Sequence, residues 1–242
     1  MLKIKEIKID KPEIEQCKLA DMGIIPTHPF RAYIVGASGS GKTNLLLNLV
    51  TRKGYYKDYF DFICCLSPTA LNLDKSYQAL EEKTKYETGK DLLFFECNCE
   101  VLQEILTMQE ETDKEKKVLC ILDDIVSYKK FCNSKELLTF AVMSRHYNIS
   151  LFCLSQAFHL IPKSIRLNMS CVIYFKGADI ETEKLCEQYT PAGMRRRDFK
   201  NLVEKCTEEP YSFLYIDLNT PMHGKIPRYR CGLDKDLLKM YK

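Results

Sequence analysis

The run Gly36-Ala37-Ser38-Gly39-Ser40-Gly41-Lys42-Thr43 restricts what this chain can fold into more than any other stretch. It has the form G-x-x-x-x-G-K-[ST], with a strand-like apolar run before it at 31–35 and a helix-forming run after it at 43–51. Glycine permits positive φ, which lets successive backbone N–H groups point inward around phosphate oxygens. The helix that follows brings the positive end of its dipole to the same place. In this arrangement Lys42 reaches the β- and γ-phosphates of ATP and the Thr43 hydroxyl ligates Mg²⁺. Gly36, Ala37, Ser38, Gly39, Ser40, Gly41 and Asn44 complete the cradle. Glycine makes up roughly 7% of ordinary chains, so a chance match at this length is on the order of 1% or less. Only 10 residues are glycine, and 3 of them are Gly36, Gly39 and Gly41, so the motif is not a by-product of composition.

Composition excludes several classes. A chain of 242 residues is one ordinary α/β domain or two small ones, and it can bury a core without staples. Hydrophobic residues at 45% and charged residues at 29% exclude a disordered chain. A net charge of +3, from 36 basic and 33 acidic residues, excludes a tail-like nucleic-acid coat but not a local basic patch. No apolar run approaches the roughly 18 residues of a membrane-spanning helix, and MLKIKEIKID has no hydrophobic signal core. The expectation is therefore a protein with no membrane span that is not secreted. The 12 cysteines are scattered, and Cys64, Cys65, Cys120, Cys153 and Cys171 fall inside strand-like runs, where a reduced thiol acts as a small hydrophobe. Cys97-x-Cys99 lacks the second ligand pair of a zinc site.

Strand-like runs recur at 60–66, 92–95, 118–122, 149–154, 171–175 and 211–216. Helix-like runs lie between them at 101–109, 134–145, 162–167 and 179–206, the last interrupted by Pro191 and Gly193. Residues 81–91 and the charge run 110–117 read as solvated loops, and the tail as a strand at 228–231 and a helical turn at 234–241. The alternation predicts an α/β fold with a mostly parallel central sheet and helices on both faces. With no repeat and no clear linker, the chain reads as a single domain over 1–242. A polar lead-in covers 1–28, the core 29–180, and a helical and strand extension 181–242.

Two strand ends add chemistry. The strand at 118–122 runs into Asp123-Asp124, where Asp123 would hold Mg²⁺ through water and Asp124 would orient and deprotonate an attacking water. The alternative is a strand-ending turn with capping carboxylates. The strand at 149–154 delivers Ser155 and Gln156 to the same sheet edge, where α/β folds bind ligands. An amide there can donate to a γ-phosphate oxygen and accept from a water, or it can merely cap a helix.

Together, Val35 to Thr43, Leu119 to Asp124 and the run Ser144-Arg145-His146-Tyr147-Asn148-Ile149-Ser150-Leu151-Phe152-Cys153-Leu154-Ser155-Gln156 resemble the FtsK–HerA superfamily of P-loop ATPases. Within it, the chain is similar to the genome-packaging ATPases of poxviruses, giant DNA viruses and virophages. The run Ile161 to Asn168 and the strand from Val172 to Lys176 also fit. The resemblance covers about residues 30–180 and implies a three-layer P-loop NTPase. It implies a motor that pumps double-stranded DNA with ATP and Mg²⁺ as a homo-oligomeric ring, a pentamer or hexamer, docked on a capsid or portal component. The setting it implies is the host-cell cytoplasm or viral factory, or the virion. The resemblance also implies that Arg145, at the start of the strand ending in Gln156, acts on a neighbour's γ-phosphate; a surface salt bridge is the plainer alternative. Arg166 is a weaker phosphate-sensing candidate. The superfamily commonly has Asp-Glu where this chain has Asp123-Asp124, and Asp is one methylene shorter.

The triplet Arg195-Arg196-Arg197 reads either as a DNA phosphate contact or as a solvated helix face paired with Glu204, Glu208 and Glu209. Two other function classes compete with a motor. A nucleotide or deoxynucleoside kinase would use the triplet as an Arg-rich lid, but Asp123-Asp124 and Gln156 speak against it. A non-enzymatic ATP-binding scaffold would not need a candidate base beside Lys42, Thr43 and Asp123.

Overall fold

The apolar runs form strands in the computed structural model, which describes residues 17–68, 77, 78, 81, 82, 85, 92–219, 228–233 and 235–237. In chain order these are β1 (Arg31–Val35), β2 (Phe62–Leu66), β3 (Leu92–Phe95), β4 (Val118–Asp123), β5 (Ile149–Ser155), β6 (Cys171–Phe175), β7 (Phe213–Asp217), β8 (Tyr229–Cys231) and β9 (Lys235–Asp236). The helices are α1 (Lys18–Asp21), α2 (Lys42–Thr51), α3 (Cys99–Glu111), α4 (Lys129–Cys132), α5 (Lys135–Met143), α6 (Lys163–Arg166), α7 (Asp179–Tyr189) and α8 (Arg196–Cys206). Two 3₁₀ turns, Ile125–Ser127 and Ser144–Tyr147, follow β4 and precede β5.

Among the described residues the strands make one sheet in the order β3-β2-β4-β5-β1-β6-β7-β8-β9. Every pair from β3 across to β6 is parallel, and the pairs from β6 to β9 are antiparallel. The central strands are apolar on both faces because helices cover both. Along β4, Val118, Cys120 and Leu122 join one core while Leu119 and Ile121 join the other, the two-residue period of a strand. The first core takes Leu102 and Ile105 of α3, Leu137, Phe140 and Ala141 of α5, and Phe199, Leu202 and Val203 of α8. The second takes Leu46, Leu49 and Val50 of α2, at the three- and four-residue spacing of one helical face. The cysteines are all free, and burial holds Cys65 well above the usual thiol range and raises Cys171 to about 12. These thiols are neutral packing groups. Among the described residues no helix is long and apolar enough to cross a membrane.

Two expectations differ from what is found, the helical tail and the loop at 81–91, and the polar lead-in takes on structure. From residue 17 on it forms α1 and packs Cys17, Ala20 and Ile25 into the second core, with His28 buried against Phe60. Its small and aliphatic residues cover a sheet face that α2 alone leaves open. The tail is not helical at 235–236 but forms β9, which pairs Lys235 with Cys231 and Asp236 with Arg230. Gly232, at φ 70°, allows the chain to reverse there, and pairing to β8 outweighs the helical pattern of the tail. Residues 81, 82 and 85 are helical; the rest of the 81–91 stretch, like 238–242, lies outside the described residues.

Candidate nucleotide-binding site

The site forms where parallel strands end, on the carboxyl edge of the sheet. β1 runs out at Val35, and the loop that follows needs glycine at its base. A methyl group on Gly36 would fall 2.6 Å from Cβ of Phe175 and 2.6 Å from Oγ of Ser40. Gly39 and Gly41 have φ of 75° and 103°, values that L side chains rarely adopt. Gly41 caps α2 without any side-chain hydrogen bond, so the first-turn N–H groups of α2 remain available to an anion. The Lys42 ammonium folds back over the loop and donates to the carbonyls of Gly36 at 2.6 Å and Ala37 at 3.0 Å. Burial makes Lys42 easier to deprotonate than an ordinary lysine, while Asp123 and Asp124 oppose that shift.

Strand order assembles the rest. β5 lies between β1 and β4. Its end is tied to both neighbours, with Gly36 N donating to Ser155 O at 3.2 Å and Asp124 N donating to Leu154 O at 3.3 Å. The chain turns sharply after β4, with Asp124 at φ 50°, a left-handed conformation that Asp tolerates. The Gln156 amide nitrogen then donates to Oδ2 of Asp124 at 3.0 Å. A cleft of about 800 Å³ results, whose walls include Ser38, Gly39, Gly41, Lys42, Thr43, Asn44, Asp123, Asp124 and Gln156. Gly36 and Ala37 contribute the carbonyls that hold Lys42, and Ser40 sits at the back of the loop. The Ser40 Oγ is buried with no hydrogen-bond partner among the described residues. An uncapped helix and a lysine whose hydrogen bonds among the described residues go to loop carbonyls fit an oxyanion such as a polyphosphate. Thr43 and Asp123 line the same cleft, a hydroxyl and a carboxylate of the kind that hold a hard cation such as Mg²⁺.

Not every sequence candidate arrives here. Arg145 is exposed in the 3₁₀ turn at the opposite end of β5, roughly 20 Å from this cleft at about 3.3 Å per strand residue. It makes no hydrogen bond or ion pair among the described residues. Arg166 is held elsewhere, by Ile161 O at 3.0 Å, by Gln188, and by the Phe158 ring 4.4 Å from its guanidinium. Arg195 pairs with Asp198 at 2.7 Å, and Glu204 lies 4.0 Å from Lys200, each contact about one helical turn along α8.

Some residues at the site escaped the sequence reading. Tyr77 is buried beside Cys65 and Asp123; burial foremost, and then these two neighbours, raise its phenol well above the ordinary range. Ser127 lines the cleft and donates to Asp124 O at 3.0 Å. Tyr211 belongs to the loop between α8 and β7, and its ring edge would lie 3.0 Å from a methyl group on Gly41. A tight turn at 209–212, closed by Ser212 N donating to Glu209 O at 3.1 Å, holds Pro210 second and Tyr211 third. Tyr211 has φ 64°, in the slot where such a turn favours glycine. No local pattern marks Tyr77 or Tyr211, because each meets the site only through folding, whereas Ser127 sits in the turn directly after Asp124.

Comparison with known proteins bears on the family and the fold. Residues 21–209 match the family described as poxvirus A32 protein. A DNA packaging protein of variola virus is 28% identical over 184 residues, an alignment that covers 72% of this chain. The chain spans only 63% of the length of that relative. The crystal structure of the DNA-packaging ATPase B204 of Sulfolobus turreted icosahedral virus has a TM-score of 0.55 at 15% identity, covering 81% of this chain and 99% of that one. The genome packaging NTPase B204 of Sulfolobus turreted icosahedral virus 2, in complex with ATP-γ-S, has a TM-score of 0.52 at 12% identity, covering 79% and 93%. Those likenesses show a shared fold.

Proposed function

This chain belongs to the poxvirus A32 protein family, and from that membership and the geometry of the cleft we propose that it is an ATPase that drives packaging of double-stranded viral DNA. One observation carries the reading. The Asp124–Gln156 hydrogen bond joins a candidate base and a candidate sensor in the cleft that also holds Lys42, Thr43 and Asp123. A phosphate cradle alone would suit many nucleotide-binding proteins; a carboxylate held by an amide beside it suits activation of a water.

The residues divide the work. The loop from Gly36 to Gly41 and the start of α2, through Asn44, bind the phosphates by backbone N–H groups. Lys42 exchanges its loop carbonyls for phosphate oxygens and stabilises the charge that develops there. Thr43 and Asp123 would hold Mg²⁺, which neutralises phosphate charge when bound. Asp124 orients the attacking water and accepts its proton, and Gln156 fixes the Asp124 carboxylate and contacts the γ-phosphate side of the cleft.

Arg145 cannot serve its own subunit from the far end of β5. Its exposure there suits a role in the site of a neighbour, and hence a homo-oligomeric ring, a pentamer or hexamer, with a capsid or portal component as docking partner. We place this activity in the host-cell cytoplasm or viral factory, or in the virion, and in a single unit comprising the lead-in 1–28, the core 29–180 and the extension 181–242.

The decisive experiment is ATP hydrolysis with and without double-stranded DNA, with Lys42→Ala as control. Stimulation by DNA in the unaltered protein and loss of turnover in the variant are expected. A rate indifferent to DNA would remove the motor reading; a variant of undiminished activity would move the active site elsewhere.

A further inference from the structure

A second cleft, about 510 Å³, lies on the other side of the phosphate loop. The two clefts share Ser38, Gly39 and Tyr211, so they are continuous around the tip of the loop. The outer wall of the second cleft is the α8–β7 loop, including Thr207 and Glu208, with Lys176 at the end of β6.

Tyr211 is the unusual member. It is 69% exposed, more than any other large hydrophobic side chain among the described residues. It also occupies a backbone conformation, φ 64°, that a bulky side chain adopts only when its surroundings impose it. The result is a flat ring held against Gly41, at the boundary between the two clefts. A planar aromatic face beside a phosphate cradle is the surface on which a nucleobase stacks, and stacking tolerates any base because every base has a π-face.

We propose that the second cleft receives the nucleobase of the bound nucleoside triphosphate, stacked on Tyr211, while the phosphates lie in the first. The inference rests on the reading of the first cleft as a nucleotide site. Stacking energy then comes from the ring and not from the phenol hydroxyl, and it is separable from phosphate binding.

Titration calorimetry in the presence of Mg²⁺ tests this with two probes, ATP and inorganic tripolyphosphate, on the full chain. The variants are Tyr211→Phe, which keeps the ring, and Tyr211→Gly, which removes it while suiting the positive φ and so guards against misfolding. Loss of a stacked base corresponds to roughly 10-fold to 100-fold in affinity. The expected result is a loss of that size for ATP in Tyr211→Gly, unchanged ATP binding in Tyr211→Phe, and unchanged tripolyphosphate binding in both. Equal weakening of both probes in Tyr211→Gly would overturn the proposal, since the ring would then act only by supporting Gly41. ATP binding undiminished in Tyr211→Gly would overturn it too. An unaltered chain that binds neither probe would overturn the phosphate-site reading, and the base site with it.

Discussion

The two ends of the parallel strands carry polar groups of opposite character. At the carboxyl ends, Lys42, Asp123, Asp124 and Gln156 line an open cleft, and the hydrogen bonds of Lys42 among the described residues go to loop carbonyls that a ligand can replace. At the amino ends, most of the buried polar groups pair with one another, although Arg31 Nε is buried with no hydrogen-bond partner among the described residues and Arg145 stays exposed. His28 is buried between Ser150 Oγ at 2.6 Å from Nδ1 and Asn148 Oδ1 at 2.8 Å from Nε2. The backbone N–H groups of Phe30 and Arg31 donate to the hydroxyls of Ser150 and Ser170, each at 3.1 Å. The Arg31 guanidinium donates to Ala141 O at 3.0 Å and Val142 O at 3.2 Å, where it closes the carboxyl end of α5. One end is arranged to exchange partners and the other to keep them. The same strands thus separate chemistry from stability, and a substitution at either end should reveal which it serves.

The largest effect belongs to the cleft. Lys42→Ala should lower turnover by about 10³-fold or more, because a fixed charge at the transferring phosphate is lost. Its stability to urea should change far less, by about 0.5–1 kcal/mol, because it loses only hydrogen bonds to a partly buried and an exposed loop carbonyl. A variant that loses stability as fully as activity would break the contrast.

His28 should show the reverse pattern. Burial is the main cause that lowers its pKa from 6.5 to about 4; Lys117 adds to the effect, and the Asn148 bond and Asp61 oppose it. The unfolded chain therefore takes up a proton near pH 6.5, and the folded chain only near pH 4. Its contribution to stability is complete above pH 6.5 and falls as the pH drops from there toward 4. Between pH 7 and 5 the loss attributable to this group is about 2 kcal/mol. Denaturant melts of the protein and of His28→Gln at the two pH values check this, with a shallower pH dependence expected in the variant. Equal slopes would mean that another group carries the acid sensitivity.

Arg31→Met gives the smallest effect, about 1 kcal/mol of stability, since it removes hydrogen bonds to two partly exposed helix-end carbonyls. Turnover per folded molecule should not change. A drop in turnover without a drop in stability would tie the amino end to the reaction, and the nearby Arg145, whose charge helps to lower the pKa of Arg31, would be the first residue to examine.

Much of this was legible in the chain. The phosphate loop announces itself because its requirements are local: glycine at set positions, then lysine and threonine at the start of a helix. Asp123-Asp124 and Ser155-Gln156 stand out because each ends an apolar run, and the carboxyl edge of a parallel sheet gathers such ends. Arg230 was not legible. It reads as a polar residue in a short tail strand, yet it is 1% exposed, with its guanidinium 4.1 Å from the Tyr215 ring centre and donating to Ile24 O and Leu233 O. Its main partner strand lies outside the parallel alternation, and Ile24 is 206 residues away.

By itself, then, the amino-acid sequence determined the fold class, the phosphate loop and the strand ends that carry charge, because dihedral preference and burial period are properties of a few neighbouring residues. Tertiary structure alone decided that β5 enters between β1 and β4, so that Gln156 meets Asp124. It also decided that Arg145 sits at the end of β5 opposite the cleft, and that Tyr211 closes over a glycine far earlier in the chain. Strand order and loop contacts follow from which apolar faces pack together, and that choice is made between segments distant in sequence.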